Sequence, residues 1–597
     1  MEFKKTATAL AAALTLVALT AQGQELKDGT YESSVVGHNA PMTVRVVVKD
    51  HKVVSVTSPK NLETPGVGRE AIRQLGEQIV ALQSLGIDAV TGATLSSFAF
   101  LKGAGDAIRE AGGDMKAWRA KAAVAPTEPI QLEAAVVVIG GGGSGLASAV
   151  SALQNGATKV VVLEKLGFLG GSTIVSGGAF NAASEKRQKP QGIEDSVEKH
   201  YRQTLEGGHN VGNPELVRTL VENAPATLDW LESMGMKFSP KIGTATGALW
   251  QRSNYPAKPA GTGYIETLAG ELKKAGDRVI VLTDTTADKL VLDAEGRVVG
   301  VEGHKKKQPV TVRAEAVIVA TGGFGANVKM RQEVNTGVWK EAVLDERIGT
   351  TNMQRAAQGD GIRLTKAAGA DVIGLSDIQL HPNGTPGTGL MQDIATSGRN
   401  RIFVNKAGDR FVNEAAARDT LCKAIFQQPD GQYWLVMNKL RYPDPNKPDK
   451  MGVTINDMLS LGRLKTAATL DELAKVIGVD AERLKASVEE YNRAARHEVK
   501  ADKFGFEANN TEDAPMTEGP WYACLKTPTV HHTMGGIRID AKARVLDASG
   551  KPVPGLFAAG ETTGGIHGAN RLGGNAVADV MTFGRIAGRS AAESAAE

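Results

Sequence analysis

Between Ala134 and Lys165 the chain carries glycines at a spacing that can hold a pyrophosphate. Gly140, Gly142 and Gly145 stand as G-x-G-x-x-G, with Gly143 and Ser144 inside the motif. Glycines here let the backbone turn tightly and approach a phosphate, whose charge meets free N–H groups at a helix N-terminus. Glu164 is placed to hold ribose hydroxyls, and Lys165 follows it. The elements that must position these groups are also visible. Val136–Ile139 is a β-branched apolar run of strand length. The helical pattern after it sets Leu146, Val150 and Leu153 on one face and stops at Gly156. A second strand, Val160–Leu163, ends at the acid. Strand, glycines, helix, strand and acid in that order point to a dinucleotide site, NAD or FAD.

Other junctions share this grammar. Gly170, Gly171, Ser172 and Thr173 form one small-residue loop, and Ser176, Gly177 and Gly178 another, where backbone can lie against a flat ring. The buried-strand pattern Ala316–Val319 runs into Thr321, Gly322 and Gly323. Asp360 follows a glycine and can present a carboxylate. Gly555–Gly560 is a third strand-to-glycine junction, ending at Glu561, and Asn575 opens the final helix. Together they predict one discontinuous sheet domain around a single large cofactor, for which FAD is the better fit.

The basic residues suggest a second kind of chemistry. A planar guanidinium such as Arg571 suits a carboxylate bidentately. Arg418, taken alone, reads as an ion-pair partner of Asp419 or Glu414. His531 and His532 stand side by side before a Met-Gly-Gly turn.

The chain has 597 residues, too many for one core, with 42% apolar and 23% charged residues. A net charge of +3 gives no reason to expect nucleic acid as a partner. Residues 1–23 read as a signal peptide, Lys4 and Lys5 preceding a short apolar stretch and Ala21-Gln22-Gly23 offering a cleavage site. No twin arginine is present, so the expectation is export of the unfolded chain to the periplasm and flavin addition there. Only Cys422 and Cys524 are available for redox chemistry, neither in a haem motif, and no metal site is read from the sequence.

Residues 24–113 read as a separate unit with alternating strands at Met42–Val46 and Val53–Val56 joined by a polar turn. Its stretch Asp88-Ala89-Val90-Thr91-Gly92-Ala93-Thr94 reads locally as a capped helix start. The same stretch resembles the flavinylation motif of FMN-binding domains in electron-transfer complexes. That resemblance implies covalent FMN on Thr94, with Ser96 as the alternative, and a flavin transferase to attach it. Residues 114–130 read as a linker.

The segments Gln379-Leu380-His381-Pro382, Arg410–Glu414 with Arg418-Asp419, His531–Gly536 and Gly568–Asn575 carry a more specific resemblance. The chain is similar to flavoprotein subunits of the fumarate reductase and succinate dehydrogenase superfamily, above all the periplasmic fumarate and urocanate reductases. The implied fold is α/β. A Rossmann-like FAD-binding domain (131–375 and 532–597) holds an inserted α+β clamp or capping domain (376–531), and the small α+β FMN-binding domain precedes it. The implied activity is reduction of the C=C bond of an α,β-unsaturated carboxylate, with non-covalent FAD giving hydride and Arg418 giving the proton. Arg571 and His532 would hold the substrate carboxylate and His381 its opposite end, with His531 beside them. An external quinol-linked cytochrome would supply electrons. Same-fold alternatives are a ketosteroid-type dehydrogenase or a non-catalytic flavin carrier.

One stretch departs from the family. Fumarate reductases of this type carry E-A-V-R-G, and this chain has Ile394 at the glutamate position and Ser397 at the arginine position. Lost charge there favours a monocarboxylate over a dicarboxylate such as fumarate, because an unpaired buried charge costs several kcal/mol. Asp393 is placed to meet an imidazole, which keeps urocanate among the candidates.

Overall fold

The computed structural model describes residues 25–121, 128–391, 399–448 and 453–596. Residues 1–23, read above as a signal peptide, Asp393 and the Ile394 to Ser397 departure lie outside the described residues. Contacts separate these residues into two units, one built on 25–62, 71–89 and 94–121 and the other on the rest.

In the first unit, strands Gly29–Val36, Pro41–Lys49 and Lys52–Thr57 make an antiparallel sheet. Alternation decides its buried face: Met42, Val44, Val46 and Val48 point inward. The turn predicted between the second and third strands places Asp50 and His51 at positive φ, the geometry of a tight hairpin. Helix Thr94–Glu110 covers the sheet through Phe100, Ala104, Ala107 and Ile108. A Cβ on Gly103 would sit 2.6 Å from Val44, so a glycine is required where helix and strand meet.

The second unit is centred on an eight-stranded sheet. Its main path runs 544–546, 552–558, 308–319, 130–139, 160–163 and 279–282, with 298–305 antiparallel on 308–319 and 285–292 antiparallel on 298–305. Strands 552–558, 308–319, 130–139, 160–163 and 279–282 run parallel to one another along this path, and 544–546 is antiparallel on 552–558. Val136, Val137, Val138 and Val160–Val162 are fully buried, as the unbroken apolar runs predict. Register sets Ile139 beside Leu163 on one side and Val319 on the other, and Val319 beside Ala558. Four chain segments spread over more than 400 residues thus end side by side at the same edge, each turning there through glycine or acid.

Helix Gly143–Gln154 packs on the C-terminal helix Asn575–Ala596 through small residues. Ser148 Oγ donates to Gly584 O at 3.0 Å, and a Cβ on Gly588 would lie 2.2 Å from Ser148 O. Five further strands form an antiparallel sheet: 378–384, 521–533, 433–438 and 401–404 in order, with 465–467 also on 521–533. Thr469 and Glu472, at T-x-x-E spacing, form a capping box, and Leu484, Val488 and Tyr491 line the buried face of helix Ala481–Ala495. Among the described residues no helix is long and apolar enough to cross a membrane.

Candidate active site

At the shared edge of the parallel strands lies a cleft of about 780 Å³. Twelve of the residues read from the sequence line it: Gly140, Gly142, Gly143, Ser144, Glu164, Lys165, Gly171, Ser172, Thr321, Gly322, Asp360 and Glu561. The two loops meet through a backbone bridge between Gly142 and Gly170. Gly142 has no neighbour nearer than 3.8 Å to its missing Cβ and Gly322 none within 4 Å, so both backbones face open space. Gly140, at φ +113°, and Gly145 act differently. A side chain on Gly145 would strike Gly140 O at 1.8 Å, so the third glycine closes helix onto strand. Glu164 accepts from Gly141 N at 2.6 Å and Leu166 N at 2.7 Å. Burial pushes its pKa up, and those backbone donors oppose the shift. Lys165 pairs with Asp360 at 2.5 Å. Open glycine backbone, a helix N-terminus and a buried acid in one cleft fit the pyrophosphate and ribose of FAD.

Other expected residues are not among those that line the cleft. Ser176 Oγ donates to Thr173 O and in turn receives Gly178 N, making a turn that includes Gly177. A Cβ on Gly323 would meet Thr533 Oγ1 at 2.1 Å. Asn575 is fully buried, its amide tied to Asn181, His200 and Thr204. In the first unit, Thr94 is the opening residue of its helix and partly exposed, whereas Ser96 is only 4% exposed. Thr94 is therefore the more accessible of the two residues.

A second cluster gathers the arginines and histidines. Arg418 begins helix Arg418–Phe426. Its ion-pair alternatives are taken elsewhere: Glu414 binds Arg410 at 2.7 Å, and Asp419 binds His209 at 2.8 Å. Arg418 Nε instead donates to Thr246 O and Nη1 to Gln379 Oε1, both at 2.8 Å. Gln379 Nε2 then donates to the Arg571 carbonyl at 2.6 Å and to Asn570 Oδ1 at 3.0 Å, so one amide side chain ties both arginine segments together. Gly247, at φ +74°, makes room, since its Cβ would lie 2.5 Å from Arg418 Cγ. Neither guanidinium forms an ion pair among the described residues; Arg571 Nη1 reaches only Leu572 O, and its Nε is buried without a partner.

Three histidines complete the cluster. His381 and His531 rings lie 4.7 Å apart, and His531 Nδ1 meets Thr351 Oγ1 at 2.6 Å. His532 Nδ1 lies 3.7 Å from Glu561 Oε2, and Glu561 also accepts from Thr533 N. Burial and the neighbouring guanidiniums push all three imidazoles well down, leaving them neutral near pH 7. Burial lowers Arg571 to about 10, and burial with the field of Arg571 takes Arg418 well below its ordinary value. Glu561 is raised to about 7 by burial. A guanidinium destabilised in this way gives up a proton far more readily than one in water.

Sequence reasoning missed Thr246, Gly247 and the His532–Glu561 contact, because no local spacing marks them. It also missed Arg401, 2% exposed on strand Arg401–Val404, whose charge bears on His381 and Arg418. Tyr255, buried near the same arginines, is pushed up by burial. Cys422 and Cys524 are both buried and no disulfide joins them.

Comparison with known proteins places this geometry. Residues 135–577 match the family described as FAD binding domain and residues 37–109 the FMN-binding domain. The chain is 36% identical to a urocanate reductase of Eggerthella lenta, over 93% of this chain and 91% of that protein. It is 35% identical to an NADH:acrylate oxidoreductase of Vibrio harveyi, over 95% of this chain but only 62% of that longer protein. The open conformation of a flavocytochrome c3 fumarate reductase superposes with a TM-score of 0.60 at 33% identity, covering 78% of this chain and 79% of that one. The chain belongs to the family of FAD-binding oxidoreductases that includes these fumarate and urocanate reductases, with an FMN-binding domain at its N-terminal side.

Proposed function

We propose that this chain is an enoate reductase, saturating the C=C bond of an α,β-unsaturated carboxylate. The observation that carries this reading is two buried guanidiniums, Arg418 and Arg571, joined through Gln379 and making no ion pair among the described residues, with Glu561 and Asp579 acting on Arg571 only through space. Buried cations without a paired anion are costly, and an anionic substrate offsets that cost. FAD, when bound in the cleft, supplies hydride chemistry. Arg571 and neutral His532 hold the substrate carboxylate, and His381 orients the opposite end. Arg418, held by Thr246 and Gln379, gives its proton to the α-carbon. The antiparallel sheet region that carries His381, His531 and Arg418 excludes water from this reaction.

Relatives are named for acrylate, urocanate and fumarate. Ile394 and Ser397 favour a substrate with one carboxylate and a less charged β-substituent: urocanate, an aryl acrylate or an alkyl acrylate. One observation favours fumarate instead, the buried Arg401 whose charge bears on His381. Anaerobic reoxidation of the dye-reduced protein by a panel of these acids decides between them, and reoxidation by none of them overturns the reading. We further propose an exported, periplasmic protein. Electrons would come from a quinol-linked cytochrome through FMN on Thr94, placed there by a flavin transferase. The intact mature chain should then weigh one FMN more than its sequence, and the Thr94→Ala variant should not.

A further inference from the structure

His381 stands on strand 378–384, two residues after Gln379. Alternation puts both side chains on one face, where Gln379 holds Arg418 and Arg571. The pairing of this strand with 521–533 slips twice. Gln379 faces His532 while Leu380 faces Val530, so His531 is the extra residue of a bulge. Such a bulge re-aims a side chain, and the His531 ring comes within 4.7 Å of His381. The second slip falls between His381, opposite Thr529, and Gly384, opposite Thr527. Here the extra residue lies in the strand of His381. Pro382 has no N–H, so Asn383 is the first backbone donor after the histidine. Its N–H donates to His381 Nδ1 at 3.2 Å. Asn383 is fully buried, and its Oδ1 accepts from Tyr433 Oη at 2.8 Å. The Tyr433 ring stacks on Phe403 at 4.2 Å, which pins the bulge.

Burial, with the charges of Arg418, Arg401, Arg571 and Lys526, pushes the His381 pKa well down, so the ring is neutral. A ring nitrogen that accepts a hydrogen bond carries no proton, so the proton of this neutral imidazole sits on Nε2. We propose that the bulge fixes His381 as a hydrogen-bond donor toward the far end of the substrate, so that the enzyme selects enoates whose β-substituent carries a hydrogen-bond acceptor. The inference rests on the enoate reading above and narrows it. A carbonyl, an ether oxygen or a neutral ring nitrogen meets the Nε2 proton. A purely alkyl substituent leaves a donor only 3% exposed without its bond, and a cationic one faces the surrounding guanidiniums.

Two pairs of acids matched in size test this on the reduced holoenzyme: monomethyl fumarate against the α,β-unsaturated hexenoate, and pyridylacrylate against cinnamate. In each pair only the first acid has an acceptor on its β-substituent. The ratio of kcat/KM within a pair should fall about tenfold or more from wild type to His381→Leu, mostly through the first acid. Comparing that ratio between proteins removes the intrinsic reactivity of each double bond. His381→Gln, which keeps an N–H donor, should hold the ratio within about threefold of wild type. Nitrogen NMR of isotope-labelled histidine in the wild-type holoenzyme, with His381 identified by its loss in His381→Gln, should show Nδ1 unprotonated and Nε2 protonated. A protonated Nδ1 overturns the proposal, whichever acid turns over and whether or not His381→Leu folds. So does an equal fall on both members of a pair, which would make His381 a packing residue only. A wild type that prefers the acid without an acceptor in both pairs overturns it as well. Failure of the underlying reading looks different, since no enoate would then reoxidise the wild-type protein.

Discussion

The cofactor cleft and the arginine–histidine cluster lie in the same unit and are built by opposite means. The cleft is mostly backbone: glycines at strand ends, a helix N-terminus and one acid whose oxygens are held by N–H groups. The cluster is mostly side chain, and it keeps cations out of water with few partners. A backbone site depends on what is absent, so adding atoms destroys it. A side-chain site depends on charge that burial has made expensive, so removing a single group destroys it.

The sharpest way to break the second site alone is Arg418→Ala. Turnover with any accepted enoate should fall about 10³-fold while FAD absorbance stays at wild-type level. Retained turnover would return Arg418 to a structural role and leave a flavin carrier as the better reading. Breaking the first site alone calls for Gly145→Ala, whose methyl would press on Gly140 O. Loss of bound FAD and a stability loss of about 3 kcal/mol in denaturant titration are expected.

Gly247→Ala probes the meeting of the two styles, a glycine that serves a side chain. With φ at +74° and Arg418 Cγ in the way, the added methyl should displace the guanidinium. Turnover should fall about 10- to 100-fold with FAD content unchanged. The smallest effect concerns Glu561, which touches both sites. Its folded value of about 7 lies above an ordinary 4.5, so the folded state binds the proton more tightly. Stability from this group is present below pH 4.5 and lost as pH rises through 7, at most about 3 kcal/mol. Urea midpoints followed across that range should slope downward in wild type, and the part of the slope due to Glu561 should vanish in Glu561→Gln.

The cleft was legible because its parts are local. Val136–Ile139, the three glycines and Glu164 lie within one βαβ stretch, where period and turn chemistry announce themselves. The same reading placed Ser176 to Gly178 and Asn575 at the cofactor; they are not among the residues that line the cleft, and they make turn and amide hydrogen bonds of their own. A small-residue loop against a ring and one against a neighbouring strand look identical in a sequence, since both need only the absence of bulk. The cluster was legible as residue types carried by a resemblance, and not as contacts. Nothing in the chain marks Gln379 as the tie between Arg418 and Arg571, or Gly247 as the space Arg418 needs.

The amino-acid order by itself determined the strands, the glycine turns at their ends and the helix caps at Thr469 and Glu472, because each rests on interactions between near neighbours. Only the tertiary structure decided which arginine keeps a carboxylate. Packing gave Glu414 to Arg410 and Asp419 to His209, leaving Arg418 and Arg571 buried without an ion pair among the described residues. Coulomb energy depends on burial and distance, and neither exists until segments hundreds of residues apart are brought together.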